Sequence, residues 1–252
     1  MTALPGSNRA PDARIALVTG ASRGVGARVA MLLGEQGVTV LVNYRDKQRR
    51  AEEVAAAIRE AGGSAVPVRA DVTIAADLQA MFTHIREQFG RLDLLVLNAS
   101  GGLEKQMPAD YAMRLNRDAQ LALVDGALPL MPPGSRIVFV TSHMAHFHGQ
   151  VTSYSVYEPV ATSKRAGEDA LRERILFLDA HGISLIVVSG DLIEGTTTPQ
   201  LMQRIEPGLI EARRQQAGGW LPTIDDFSQA IVAAATDAAL PSGHTVYVGS
   251  IE

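Results

Sequence analysis

Short runs of β-branched and aliphatic residues alternate with longer stretches of helical periodicity along most of this chain, and few architectures accept that pattern. Strand-like runs lie at 14–19 (RIALVT), 38–43 (VTVLVN), 65–70 (AVPVRA), 92–98 (LDLLVLN), 136–141 (RIVFVT), 183–189 (ISLIVVS) and 244–249 (HTVYVG). Several are apolar on successive residues, as parallel strands covered on both faces must be. Between them, 24–36, 47–61, 74–89, 109–131, 159–181 and 225–239 carry apolar residues at helical spacing. Val54, Ala57, Ile58 and Ala61, for example, fall at steps of three and four along one helix face. Gly37, Gly62, Gly90 and Gly182 stand where helices should end, because glycine takes the left-handed cap at no steric cost. Seven β units joined by six helical crossovers predict an α/β fold, a doubly wound parallel seven-stranded sheet with helices on both faces.

Composition narrows the function classes. At about 150 residues per domain, 252 residues allow one or two. The unbroken alternation favours one, over 13–252, after a disordered leader at 1–12 that lacks the apolar core of a secretory signal. With no cysteine, a disulfide framework, a thiolate-ligated metal and thiol chemistry are excluded, and no metal site is expected. A formal charge of -4 speaks against a nucleic-acid partner. The longest apolar stretches, such as 185–188, fall far short of the ~20 residues that span a bilayer. The expectation is a cytoplasmic protein with no membrane partner. One irregularity stands out: 190–224, between the sixth strand and the last helix, is long and contains a helix-like piece at 199–216. A segment of that kind reads as a substrate lid.

The first strand runs directly into Thr19-Gly20-Ala21-Ser22-Arg23-Gly24-Val25-Gly26 and then a helix. Glycine allows the sharp turn and a close backbone approach to a ligand. The helix that follows points its free N–H groups and positive dipole end at the turn, which suits a pyrophosphate. The position after the first strand of a βαβ series is the context that gives a glycine pattern this meaning.

TGASRGVG resembles the cofactor turn TGxxxGxG of the short-chain dehydrogenase/reductase family, and the similarity runs from about residue 13 to the end. The resemblance implies a Rossmann-type fold and a nicotinamide cofactor held by Gly20, Ser22, Arg23, Gly24, Val25 and Gly26. Asp71 and Val72 look like the family's adenine-contacting pair. Asn98, Ala99 and Ser100, ahead of Gly101, look like its NNAG segment with Ser in place of the first Gly. Asn116 matches the helix asparagine, Ser142 the catalytic serine, and Ser163-Lys164 the SK of YxxSK. Six weak matches in the right order on the right elements make a strong one.

An acid ending the second strand holds adenosine ribose hydroxyls, whereas an arginine there favours a 2′-phosphate. Here the strand ends Val42-Asn43-Tyr44-Arg45, with no acid before Asp46. Arg23 points to the same region, so Asn43, Tyr44, Arg45 and Arg23 together indicate NADP(H).

In the family a tyrosine supplies the proton, its pKa lowered by a lysine four residues later. With Lys164 as that lysine, the tyrosine belongs at 160, and position 160 is Val160. Three readings follow. A nearby tyrosine takes over, Tyr154 or Tyr157; Pro159 marks the first helical turn, which leaves Tyr157 just ahead of it with its ring direction open. A histidine acts, His143, His146 or His148, since imidazole titrates near neutrality; three exposed, idle loop histidines are the blander view. Or no side chain donates: Ser142 positions the carbonyl, and water or a substrate phenol beside it supplies the proton. The third is preferred, with Tyr157 as the best-placed side chain otherwise. Lys164, one of three lysines against twenty arginines, is assigned to the nicotinamide ribose.

The family's Pro-Gly after the sixth strand reads Ser189-Gly190 here, while Ile193 and Thr196 remain available to cap the carboxamide. On the lid, Met202, Ile205, Leu209, Ile210 and Trp220 could face a flat apolar substrate, with His143, Met144 and Phe147 adding to the same wall. These features resemble atypical ketoreductases of aromatic polyketide antibiotic pathways, angucyclinone ketoreductases in particular. The implied activity is NADPH-dependent reduction of a bulky aromatic ketone. The rival is a catalytically silent NADP(H)-binding sensor or scaffold; dehydration or isomerisation on the same scaffold is a third possibility. The family's habit of associating through the helices at 109–131 and 159–181 or the last strand implies a homodimer or tetramer.

Overall fold

The computed structural model describes residues 13–104, 107–151 and 154–251; the leader expected at 1–12 lies outside them. Seven strands form one sheet: β1 (Ile15–Val18), β2 (Thr39–Tyr44), β3 (Ser64–Arg69), β4 (Leu94–Leu97), β5 (Arg136–Ser142), β6 (Ser184–Gly190) and β7 (Thr245–Val248). Every pairing is parallel, in the order β3-β2-β1-β4-β5-β6-β7.

The uninterrupted apolar runs have a direct physical reason. Ile15 and Leu17 of β1 join one buried cluster with Leu41, Leu95, Ile137 and Phe139. Their neighbours Ala16 and Val18 join another with Val40, Val42, Val96 and Val138. Alternate side chains thus enter opposite helical layers, and both faces must be apolar. On the side of Ala16 and Val18 lie α1 (Gly24–Glu35), α2 (Gln48–Glu60) and α11 (Ile224–Thr236), which contribute Val29, Leu33, Val54, Ile58, Phe227 and Ile231 to that cluster. On the other side lie α3 (Ala75–Phe89), α5 (Ala119–Ala127), α7 (Glu158–Arg172) and α8 (Ile175–Ala180). Gly37, Gly62, Gly90 and Gly182 all have positive φ at the helix ends, as expected.

Three expected helices are interrupted. The stretch 109–131 begins as α4 (Tyr111–Met113), widens into a π turn at Arg114–Asp118, continues as α5 and ends in a 3₁₀ turn at Leu128–Leu130, where Pro129 cannot donate to the helix ladder. The stretch 159–181 divides into α7 and α8. The helix-like piece expected at 199–216 is two helices, α9 (Thr197–Ile205) and α10 (Leu209–Gln216), parted at Gly208, whose φ of 93° ends a right-handed path. A further short helix, α6 (His143–His146), follows β5 directly.

The strand order reverses between β1 and β4, where the connections leave in opposite directions and open a crevice beyond the carboxyl ends of the strands. Among the described residues no helix is long and apolar enough to cross a membrane, and no group of three or more His, Asp or Glu is placed to hold a metal ion.

Candidate active site

A cavity of about 700 Å³ occupies that crevice. One end is made of backbone. Thr19 leaves β1 with its hydroxyl on the Val96 carbonyl and receives the Asn98 and Ala99 amides, so the turns after β1 and β4 are tied together. Asn43, buried at the end of β2, accepts from the Gly20 amide at 3.1 Å and donates to the Ala70 carbonyl at 3.2 Å. Four strand ends are thereby locked around one hollow. Gly26 is required there, because a Cβ would lie 2.5 Å from Asn98 Nδ2 and 2.7 Å from the Gly20 carbonyl oxygen. Arg23, ahead of α1, caps none of its amides with its side chain, and the first turn holds no acid. A helix start left this way has partial positive charge and free donors for an anion. The structure brings all of the expected cofactor residues onto this cavity: Gly20, Ser22, Arg23, Gly24, Val25, Gly26, Asn43, Tyr44, Arg45, Asp71, Val72, Asn98, Ala99, Ser100, Lys164, Ile193 and Thr196. The hollow fits a dinucleotide.

The middle of the cavity carries the polar chemistry. Tyr157 is the residue just before α7, and Pro159 lies in the helix's first turn. Tyr157 is buried, and its hydroxyl lies 3.0 Å from Ser142 Oγ, which also accepts from the Ala145 amide. Burial pushes the Tyr157 phenol above its ordinary pKa, and the Ser142 bond pulls it partly back. Lys164 lies seven residues on, so about 10 Å along the axis at 1.5 Å per residue. It is buried on the cavity wall, and desolvation lowers its pKa to about 8 against the opposing pull of Glu168. Val160 lines the wall between the two.

Asn116 does not line the cavity. The π turn directs its amide into the protein, donating to the Gly101 carbonyl at 2.8 Å and to Ser163 Oγ at 2.9 Å. It therefore ties the segment after β4 to α7. Gln120, absent from the expected set, ties the same segment to its own helical stretch by donating to the Ala99 and Leu115 carbonyls.

The histidines are not idle exposed side chains. His143 is buried, with Nδ1 2.8 Å from Ser189 Oγ, and burial lowers its pKa to about 4. It is neutral near pH 7 and holds no proton to give. His146 lies between Glu168 and Tyr247, and His148 pairs with Glu158.

The expected substrate wall is largely redrawn. Met144 lines the main cavity, but His143 and Phe147 face a smaller one of about 130 Å³ that Met144, Asp191 and Leu192 also line. Met202 is fully buried among Tyr157, Leu192, Leu209 and Leu221. Ile205 and Trp220 are 64% and 52% exposed and line neither cavity. From α9 the cavity instead receives Thr197, Thr198, Pro199 and Leu201. Leu103, Glu104 and Tyr111, also unanticipated, line it from the other side. Helical spacing offered a faint signal for Leu201, which falls three positions after Thr198; nothing in the sequence singled out Tyr111.

Comparison with known proteins agrees with this geometry. Residues 14–205 match the short chain dehydrogenase family. The chain is 33% identical over 199 residues to the 1-cyclohexenylcarbonyl-CoA reductase of Streptomyces collinus, covering 75% of this chain and 69% of that protein. It is 34% identical over 137 residues to a hydroxynaphthalene reductase of Aspergillus fumigatus, covering 51% of this chain and half of that protein's length. Among solved structures, the promiscuous reductase LugOII, which catalyses keto-reduction at C1 during lugdunomycin biosynthesis, aligns with a TM-score of 0.80 at 27% identity over 94% of this chain and 97% of its own. The angucycline C-6 ketoreductase LanV with bound NADP gives 0.77 at 28%, over 94% and 95%. Since the family match extends from β1 through every crossover up to α9, and carries the glycine turn, Ser142 and Lys164 with it, this chain belongs to the short chain dehydrogenase family.

Proposed function

We propose that the protein is an NADPH-dependent ketoreductase acting on a bulky aromatic or polycyclic ketone, with Ser142 and Tyr157 as the carbonyl-binding pair. The observation that carries this reading is the 3.0 Å contact between the two hydroxyls on the wall of the dinucleotide-sized cavity. NADPH bound along the glycine turn supplies the hydride. Ser142 holds the carbonyl oxygen as charge develops on it, and Tyr157 donates its proton to that oxygen. An alkoxide is far more basic than a phenolate, so the transfer runs downhill even with the phenol's pKa raised. Lys164, with no tyrosine four residues before it, serves the ribose hydroxyls. Ile193 and Thr196 flank the carboxamide end, and segment 190–224 covers the substrate. The keto-reduction catalysed by LugOII, the angucycline ketoreductase activity of LanV, and the apolar Met144, Leu192 and Leu201 on the cavity wall support an aromatic ketone.

The second route, in which water or a substrate phenol supplies the proton, draws its support from the distance between Tyr157 and Lys164. One variant separates the two. General acid catalysis is worth roughly 10²- to 10⁴-fold, so Tyr157→Phe should lower kcat by that factor with NADPH affinity unchanged. Turnover within a factor of a few would assign the proton to substrate or water. Tight NADPH binding by the wild type with no consumption across a panel of quinone-like ketones would support the sensor instead.

A further inference from the structure

Arg45 is held before any ligand arrives. It follows β2 on one wall of the cavity, and its Nη1 donates to the hydroxyl of Tyr111 at 2.7 Å. Tyr111 opens α4 on the opposite side of the strand-order reversal, 66 residues away in the chain. Both residues line the cavity, as do Tyr44, Asp71 and Val72. The two anchors differ in kind. Tyr111 is only 3% exposed and packs in the same apolar cluster as Val72 and Leu115, whereas the Arg45 side chain is 42% exposed.

We propose that Tyr111 is a positioning residue for cofactor choice, its buried hydroxyl holding the Arg45 guanidinium where the 2′-phosphate of NADP(H) must sit. The inference rests on the NADP(H) reading above and concerns how this chain achieves it. An arginine at a cavity rim has many rotamers, and ordering it opposes binding. Here Nε is taken by Asp46 at 2.7 Å and Nη1 by Tyr111, which fixes the plane of the fork and leaves Nη2 without a hydrogen bond among the described residues. Asp46 alone would anchor the group while cancelling part of its charge. The Tyr111 phenol holds it without adding charge, since burial, against the pull of Arg45, keeps the phenol protonated at neutral pH. Phenylalanine would fill the same core volume and remove only the anchor.

The test is fluorescence titration of the full-length protein with NADPH and with NADH, in wild type, Tyr111→Phe, Arg45→Gln and the double variant. Loosening the guanidinium by one hydrogen bond, at the net worth of an ordinary intramolecular bond, predicts NADPH binding weakened roughly two- to tenfold in Tyr111→Phe, with NADH affinity unchanged. In the Arg45→Gln background the second change should add nothing to the NADPH/NADH ratio. Equal weakening of both cofactors would make Tyr111 a core residue only. Unchanged or tighter NADPH binding would overturn the proposal, the latter by making the bond a gate. A wild type with no preference for NADPH would remove the NADP(H) reading itself, whereas a preference untouched by Tyr111→Phe would remove only this inference.

Discussion

The two ends of the cavity are built from different material. At the dinucleotide end the wall is backbone, glycine and four strand ends laced together by Thr19, Asn43 and Asn98. At the other end the wall is side chains on α6, on the turn before α7 and on α9. Local sequence specifies the first, because a glycine's tolerance of a turn is a property of that residue in that turn. The second depends on which way helices are rotated when they dock. That difference explains why every expected cofactor residue reaches the cavity while Met202, Ile205 and Trp220 do not.

The contrast can be broken by substitution. Met202→Ala should cost about 2–5 kcal/mol of stability, as for other buried Met-to-Ala changes, read as a lower denaturation midpoint. A raised KM at unchanged stability would return Met202 to the substrate wall. The buried His143 makes the α6 end acid-labile. Its folded pKa, about 4, lies below the ordinary 6.5, so the unfolded chain binds the proton first. Stability present above pH 6.5 is therefore lost as pH falls towards 4, by roughly 3 kcal/mol at most at 1.36 kcal/mol per pH unit. Thermal midpoints of wild type and His143→Phe between pH 7 and 4 should converge on the acid side; parallel curves would show that His143 does not titrate this way. At the dinucleotide end, Gly26→Ala should cost about 1–3 kcal/mol through overpacking and abolish NADPH binding, since both Asn98 and the Gly20 carbonyl must move. Normal NADPH binding by the Gly26→Ala variant would mean the turn is not the pyrophosphate cradle. Smallest of all, Trp220→Ala should shift stability by no more than about 0.5 kcal/mol and leave kcat/KM unchanged, as exposed positions do. A loss of ketone turnover there would show that Trp220 does reach the substrate.

Tyr157 lies between the legible and the illegible. Its place just before α7 followed from Pro159, which belongs in a first helical turn. Its direction did not follow, since a residue ahead of a helix is not bound by helical spacing. Only the packing of α7 beside β5 sends the hydroxyl to Ser142. Asn116 is the converse. Its element was legible, but the π turn that swings its amide onto Gly101 and Ser163 is a small change in winding with no residue signature. Tyr111 carried no signal at all, because its partner Arg45 comes from the other side of the switch point.

The sequence by itself determined the sheet, the helix ends and the dinucleotide cradle. Each rests on short-range rules: two-faced burial demands continuous apolar strands, left-handed caps demand glycine, and a close approach demands that no Cβ be present. Tertiary structure alone decided which helix residues line the rest of the cavity, which hydroxyl meets Ser142 and which hydroxyl bonds Arg45. Those are meetings of side chains 15 to 66 residues apart, and their geometry exists only once helices and strands have packed.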